Sequence, residues 1–369
     1  VRELAGKIWG DCDGLSVKNH RYGKGQVFWN VALTEVLETI GVEQDFVPLN
    51  VDNADRQIDF IHRATEKQDI YLVSNSSMER TVLECRFRVG DGRVPSFWNA
   101  EDGSVSPCFE YQHKDGFTYL TIELAAASSV FVVFSEQEAP EHLLTIERSG
   151  EAGSWAANYP EINVLKLSGD QAEALVWRPG SYAFTTSEGR AGNWVVDKVP
   201  APKTIAGPWT IRFPADRGAP AEVVFPKLLD WTQHADSGVK YFSGTATYHK
   251  EFKLSEEQVS AATPLLLDLG VVKEVAKVRV NGKEAGILWK QPYRIDVSQW
   301  VKPGLNTLEI EVTNTWNNRL VGDQNSAPED RITRTNMSVK FKPKSPLLPS
   351  GLLGPVSLRV PVKVDAEWK

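Results

Sequence analysis

The sequence is poor in sulfur, with two methionines and three cysteines in 369 residues. Cys12, Cys85 and Cys108 are odd in number and lie far apart, without the paired short spacings of a zinc site. They are read as buried free thiols, with a Cys85–Cys108 disulfide as the alternative. No run of about 18 apolar residues occurs, which excludes membrane insertion by a helix. The formal net charge of -7 comes without any block of Lys or Arg, so nucleic acid is not an expected partner. The six histidines are scattered, with no His-Glu-x-x-His and no close pair, against a catalytic transition-metal site. No serine stands in a Gly-x-Ser-x-Gly elbow, so Ser243 with His234 or His249 makes a poor nucleophile and base. Gly23 and Gly25 match only part of a dinucleotide fingerprint and precede a strand pattern rather than a helix, against a phosphate cradle. The chain starts at Val1 without Met or a signal sequence, the mark of a processed product or an excised piece.

What the sequence has in quantity is tryptophan, twelve residues of it, which suits β-sandwich cores and sugar-stacking surfaces alike. The fold class expected is mainly β: two β-sandwich units, the second a jelly roll, preceded by a short α/β remnant. A chain of this length is expected to divide. Residues 1–47 read as the end of an upstream α/β domain, in which Tyr22-Gly-Lys-Gly25 turns into the run Val27-Phe28-Trp29. Leu33, Val36, Leu37 and Ile40 follow at helical spacing, with Asn30 to cap the helix and Gly41 to end it. Residues 48–137 carry short strand signals; in one, Cys85, Phe87 and Val89 face one way and Glu84, Arg86 and Arg88 the other, the pattern of a sheet with one wet face. Residues 138–204 read as a β-rich connecting segment ending at the Pro-rich Val199-Pro-Ala-Pro202.

Residues 205–369 give at least seven strands, among them 356–364, the number of a jelly roll. Within it Ala276, Val278 and Val280, then Tyr293, Ile295 and Val297, then Leu308, Ile310 and Val312 mark three half-buried strands by their period of two. Asn281-Gly282 supplies a tight hairpin turn and Pro303-Gly304 a second reversal. Residues 255–262 are a short helical candidate. Two long polar insertions, 230–238 and 314–334, break the strand pattern and read as loops.

Sugar binding asks for an aromatic face against the apolar side of a pyranose and fixed polar groups for its hydroxyls. Trp231 with Gln233 and His234, Trp289 with Lys290 and Gln291, and Trp316 with Asn317, Asn318 and Arg319 each offer that set, Trp316 best. The alternative for Trp316 is an indole plugging the sandwich while the Asn side chains bond loop backbone. Trp177, Trp209 and Trp300 read as core. Hydrolysis would need two converging carboxyl groups, and Asp230, Asp236, Asp323, Glu329 and Asp330 all fall in the insertions. Nothing indicates that two converge, so no catalytic residue is assigned.

Asp230-Trp231, Tyr241-Phe-Ser-Gly-Thr-Ala246, Leu267-Asp-Leu-Gly270, Val280-Asn-Gly282, Trp316-Asn-Asn-Arg319 and Ser350-Gly-Leu-Leu-Gly-Pro355 together resemble the galactose-binding-like jelly roll of large glycoside hydrolases. The likeness is to the carboxy-terminal part of family 106 α-L-rhamnosidase-like enzymes and, more loosely, to the sugar-binding domain of family 2 β-galactosidases. Ile8-Trp-Gly-Asp-Cys-Asp-Gly14 and Asp69-Ile-Tyr-Leu-Val-Ser-Asn75 extend it upstream. The resemblance implies a secreted or periplasmic bacterial polysaccharide degrader whose catalytic carboxylates lie in an upstream (β/α)8 barrel, and a noncatalytic region that supports the barrel. The expected partners are that barrel and a glycan. No cofactor is required; the metal the resemblance admits is a structural calcium, with Asp323, Asn325 and Asp330 as its ligands or, alternatively, as solvated loop residues.

Overall fold

The computed structural model describes all residues except 52–56, 151–158, 260–262, 334 and 337–340. The helical candidate at 255–262 therefore lies partly outside the described residues, as does one end of the 314–334 insertion. Glu256–Gln258 form a 3-10 turn closed by a Ser255–Gln258 capping box. Among the described residues no helix is long and apolar enough to cross a membrane.

The first 45 residues build two short helices, Arg2–Trp9 and Leu33–Thr39, around a hairpin of Asn19–Tyr22 and Gly25–Phe28. Neither helix buries a residue. Gly41 ends the second helix as expected: its N–H donates to Glu38 O and the Val42 N–H to Leu37 O, the two bonds of a Schellman end. Asn30 does not cap that helix. The helix begins after Ala32, and the Asn30 amide donates instead to Gly14 O at 2.9 Å.

The first sandwich pairs a sheet of Phe46–Pro48, Thr81–Phe87, Phe117–Leu124 and Tyr111–Lys114 with a five-stranded sheet that includes Gln68–Asn75 and Ser128–Glu136. Alternation along Thr81–Phe87 sends Leu83, Cys85 and Phe87 into the core, where the rings of Tyr71, Phe87 and Phe134 pack within 5.9 Å of one another. The three cysteines are free and buried. Burial pushes the Cys85 and Cys108 thiols up to about 12, so both stay protonated and inert.

Residues 138–204 do more than connect. Leu143–Ser149, Gly180–Thr186 and Ala191–Val196 form one sheet, Ile162–Ser168 and Gln171–Val176 another, closed over Leu143, Tyr182, Phe184 and Trp194. The expected strand over 356–364 splits between two units. Ser357–Arg359 stays in the jelly roll, whereas Val362–Asp365 pairs with Gln171–Val176 and Glu367–Trp368 with Ala191–Val196. The reason is edge completion: without those strands the Gln171–Val176 ladder and the Trp194 side of the core would be open.

The jelly roll sets a six-stranded sheet, ordered Glu222–Phe225, Trp209–Arg212, Thr245–Leu254, Gly304–Thr313, Val275–Val280, Lys283–Leu288, over a four-stranded sheet that includes Leu266–Asp268 and Arg294–Asp296. Of the three strands read from sequence, two neighbour each other and the third crosses to the opposite sheet. Asn281 and Gly282 have φ of 51° and 76° and close a two-residue hairpin between Val280 and Lys283. The Asn281 side chain does more than turn: it donates to Trp300 O and to Asn306 Oδ1, both at 2.8 Å, and accepts from Thr307 N–H at 2.9 Å. Asn306, fully buried, donates to Lys302 O and Gly304 O and accepts from Lys302 N–H. Tyr159 of the middle unit reaches across to the roll, donating to Asp268 Oδ2 at 2.7 Å beneath the Arg294 guanidinium.

Removing the Asn306 amide strands buried donors and acceptors, each worth about 1–3 kcal/mol. Asn306→Ala is expected to lower unfolding free energy by about 2–4 kcal/mol in urea titration, the range for one or two such groups, while Asn325→Ala, whose residue is exposed, changes it little.

Candidate functional site

The segment 314–323, expected as a polar aromatic loop, is largely helix: Asn317–Asp323 is helical and Asn318 through Asp323 are buried. Its polar residues look inward because they close one end of the jelly roll. Asn318 donates to Leu348 O at 2.7 Å and Ser350 Oγ at 2.9 Å and accepts from Leu348 N–H at 2.8 Å. Asn314 donates to Phe242 O and Ser350 Oγ and accepts from Gly244 N–H. Asp230 Oδ1 accepts from Ser350 N–H at 3.0 Å and Thr232 N–H at 2.9 Å, the latter as the cap of the 3-10 turn Trp231–Gln233. Below them the Trp231 indole donates to the Tyr248 hydroxyl at 2.7 Å, and the same hydroxyl accepts from Leu352 N–H at 2.9 Å. Gly351 lies against both rings; a Cβ there would stand 2.6 Å from Trp231 Nε1.

This arrangement corrects several expectations. Trp231 is 0% exposed and cannot stack on a sugar. His234 stacks on Phe225 and accepts from Asp236 N–H, and Asp236 caps the short helix Ser237–Lys240. Asn318 and Arg319 are structural; Asn317 is half-buried beside Pro346 O. Ser243 Oγ accepts from Arg319 N–H.

The calcium ligand set does not fit. Asp323 is buried, paired with Arg319 at 3.0 Å, and accepts from Ile332 N–H, Thr333 N–H and the Thr333 hydroxyl, so its lone pairs are taken. Asn325 turns its amide to Val321 O and Pro343 O, and Asp330 is exposed on the 3-10 turn Pro328–Asp330. Among the described residues no group of three His, Cys, Asp or Glu could hold a metal ion.

Two of the three indoles do reach solvent: Trp316 is 67% and Trp289 60% exposed. The sheet brings them to one end. Thr313, three residues before Trp316, pairs with Val275, and Leu288, next to Trp289, pairs with Ala276. The two strands are two steps apart in the sheet, about 10 Å at the usual spacing. Gln291 is exposed in the same turn as Trp289, and Thr245 and Thr313 share a hydroxyl contact at 2.7 Å along the same end. Lys290 leaves this group to pair with Glu101 of the first sandwich. Period and spacing alone could not separate Trp231 from Trp316, since both follow a strand and precede polar residues; the Asp230 cap was the available signal that 230–238 folds inward.

The roll is a galactose-binding-like β-sandwich: residues 232–346 match the glycosyl hydrolase 2 galactose-binding domain-like model. Residues 1–113 match the model of glycoside hydrolase family 106, alpha-L-rhamnosidase, so the resemblance to a family 106 rhamnosidase-like enzyme carrying a galactose-binding-like jelly roll holds over both of these segments. The structure is similar to that of a rhamnosidase from Novosphingobium sp. PP1Y, with a TM-score of 0.71 and 33% identity, over 97% of this chain and 28% of that one. A putative beta-glucuronidase of Formosa agariphila is 38% identical over 221 residues, covering 54% of this chain and 19% of the relative. The chain thus spans less than a third of the length of either relative.

Two measurements check the assignment of roles. Trp231→Ala is expected to destabilise by about 3–5 kcal/mol and Trp316→Ala by no more than about 0.5 kcal/mol, read from paired denaturant curves. For Asp323, burial by itself raises the carboxyl, but the Thr333 hydroxyl, the Thr333 and Ile332 N–H groups and Arg319 together outweigh it and hold the group below the usual range. A depressed native value stabilises above the unfolded value of about 3.9 and is lost as pH falls below it. Asp323→Asn should therefore flatten the loss of stability on acidification below about pH 4, and an unchanged acid limb would refute the ion-pair role.

Proposed function

We propose that this chain is the noncatalytic, β-rich region of a polysaccharide-degrading glycoside hydrolase, supporting a catalytic barrel and binding glycan at the rim of its jelly roll. The carrying observation is the pair of exposed indoles, Trp289 and Trp316, at one end of the six-stranded sheet. A pyranose lays its C–H face on one indole while Gln291 and the rim hydroxyls meet its oxygens. The barrel-supporting role draws on residues 1–47, whose Trp9, Trp29, Leu33 and Ile40 are exposed and whose helices bury nothing. An apolar surface of this kind, beside a chain that covers 28% of a similar rhamnosidase, fits packing against a further domain. A bacterial source and a secreted or periplasmic location go with polysaccharide as the substrate of the whole enzyme.

A second reading, a scaffold that binds no sugar, draws on the inward-turned Trp231, Asn318 and Arg319. A third, hydrolysis by the loop carboxylates, loses Asp230 and Asp236 to caps and Asp323 to its ion pair. The deciding experiment is a glycan array followed by calorimetry. Binding of a polysaccharide or oligosaccharide is expected, with affinity reduced at least about tenfold in Trp316→Ala, or about 1.4 kcal/mol. Absence of any bound glycan would leave the scaffold reading, and release of aryl rhamnoside by the chain would overturn the noncatalytic one.

A further inference from the structure

The wet face of the first sandwich holds a pocket of about 350 Å³. It lies where the Tyr111–Lys114 edge strand meets the Leu143–Ser149 strand of the middle unit. The two edges are stitched by three contacts. Leu143 N–H donates to Phe109 O at 2.7 Å, the Gln112 amide to Leu144 O at 2.7 Å, and Ile146 N–H to Glu110 Oε1 at 3.1 Å. The stitch turns an open sheet face into a concavity with Leu144 on one wall and Leu49 on the other.

The lining follows from register. Tyr119 stands between Gln112 and Arg86 across the sheet, and Thr121 opposite Glu84. One step beyond the Leu120–Tyr111 pair, Glu110 flanks Thr121 on its other side. Two carboxyl groups thus sit on one face, two strand steps or about 10 Å apart at the backbone, with a hydroxyl between them and a phenol and an amide in the next row. Each stitching residue spends only part of its capacity: Glu110 retains Oε2 and Gln112 its carbonyl oxygen. Burial raises the Glu110 carboxyl above the usual range, against the bond from Ile146 N–H.

The volume is at the lower end of small-molecule sites, about 300–1,000 Å³. Groups that donate and accept side by side, flanked by two leucines and a tyrosine ring, match a compact polyol with apolar C–H faces. The charged groups of the lining are Glu84, Glu110 and a single ammonium, Lys114, a balance that disfavours an anionic ligand. We propose that this pocket is a second binding site, for a neutral saccharide of one or two rings, separate from the jelly-roll indoles and independent of whether those bind glycan.

The test is saturation-transfer NMR and calorimetry on the whole chain with methyl α-L-rhamnoside, methyl β-D-galactoside and methyl β-D-glucoside, and with D-glucuronate as the anionic control. At least one neutral glycoside should bind saturably in the millimolar range, more tightly than glucuronate. The binding should survive in the Trp289→Ala/Trp316→Ala double variant and weaken at least about tenfold in Thr121→Trp, which fills the pocket from an exposed strand position. Glu84→Gln, which keeps the shape and removes a charge, should change affinity without changing the melting temperature. No saturable binding of any of the three glycosides, or binding abolished by the indole substitutions and untouched by Thr121→Trp, would overturn the proposal.

Discussion

The jelly roll depends on one buried hydroxyl, Ser350 Oγ. It accepts from the amides of Asn314 and Asn318 and donates to Leu348 O, while its own backbone bonds Asp230 and Trp231. Three chain segments distant in sequence, 230–231, 314–318 and 348–350, are tied at that point, and loss of the hydroxyl would leave an amide hydrogen of both Asn314 and Asn318 unpaired in a dry interior. The clasp explains why helix 317–323 turns polar residues inward and leaves its first aromatic, Trp316, outside. The function proposed for the rim is a by-product of the way the end is closed.

The same economy recurs in the first sandwich. Its core is built by period-two alternation, and the polar set left on the outer face would be plain solvent-facing surface without the middle unit laid against the edge strand. Glu110 and Gln112 are used twice, to join two sheets edge to edge and to line the concavity that results. Cys85 and Cys108, by contrast, fill the core with thiols that stay protonated and donate to Leu83 O and Glu110 O.

Much of this was legible in the residues. Alternation placed Cys85 and Phe87 inside and Glu84 and Arg86 outside, Asn281-Gly282 fixed a hairpin, and Gly41 a helix end, because each rests on a local rule of backbone or period. The assignment of Trp177, Trp209 and Trp300 to cores also stands: the first two are buried and the third packs on the roll's core. What local rules could not reach was the destination of a segment. Trp231 and Trp316 have similar neighbours in sequence, and only long-range bonds from Ser350 and Tyr248 decide which one is swallowed. Asp323 looked like an ion ligand because its partners, Arg319 four residues before and Thr333 ten after, converge only once the helix has formed. Residues 138–204 taken alone read as a connector because two strands of the unit come from residues 362–368.

That return of the chain has a consequence for how the protein comes to be made. The middle unit is discontinuous, with the entire jelly roll inserted between Val196 and Val362. As the polypeptide emerges, the Gln171–Val176 strand has one neighbour in place and must wait for residues synthesised after the whole roll before it gains the other. The roll has to fold in the interval and bring its two ends close together, so that it acts as a clamp for a sheet it does not belong to. Slow, non-local closure of this kind leaves an unpaired edge exposed during biosynthesis. In this architecture the order of folding, and not only the final contacts, is written into the strand order.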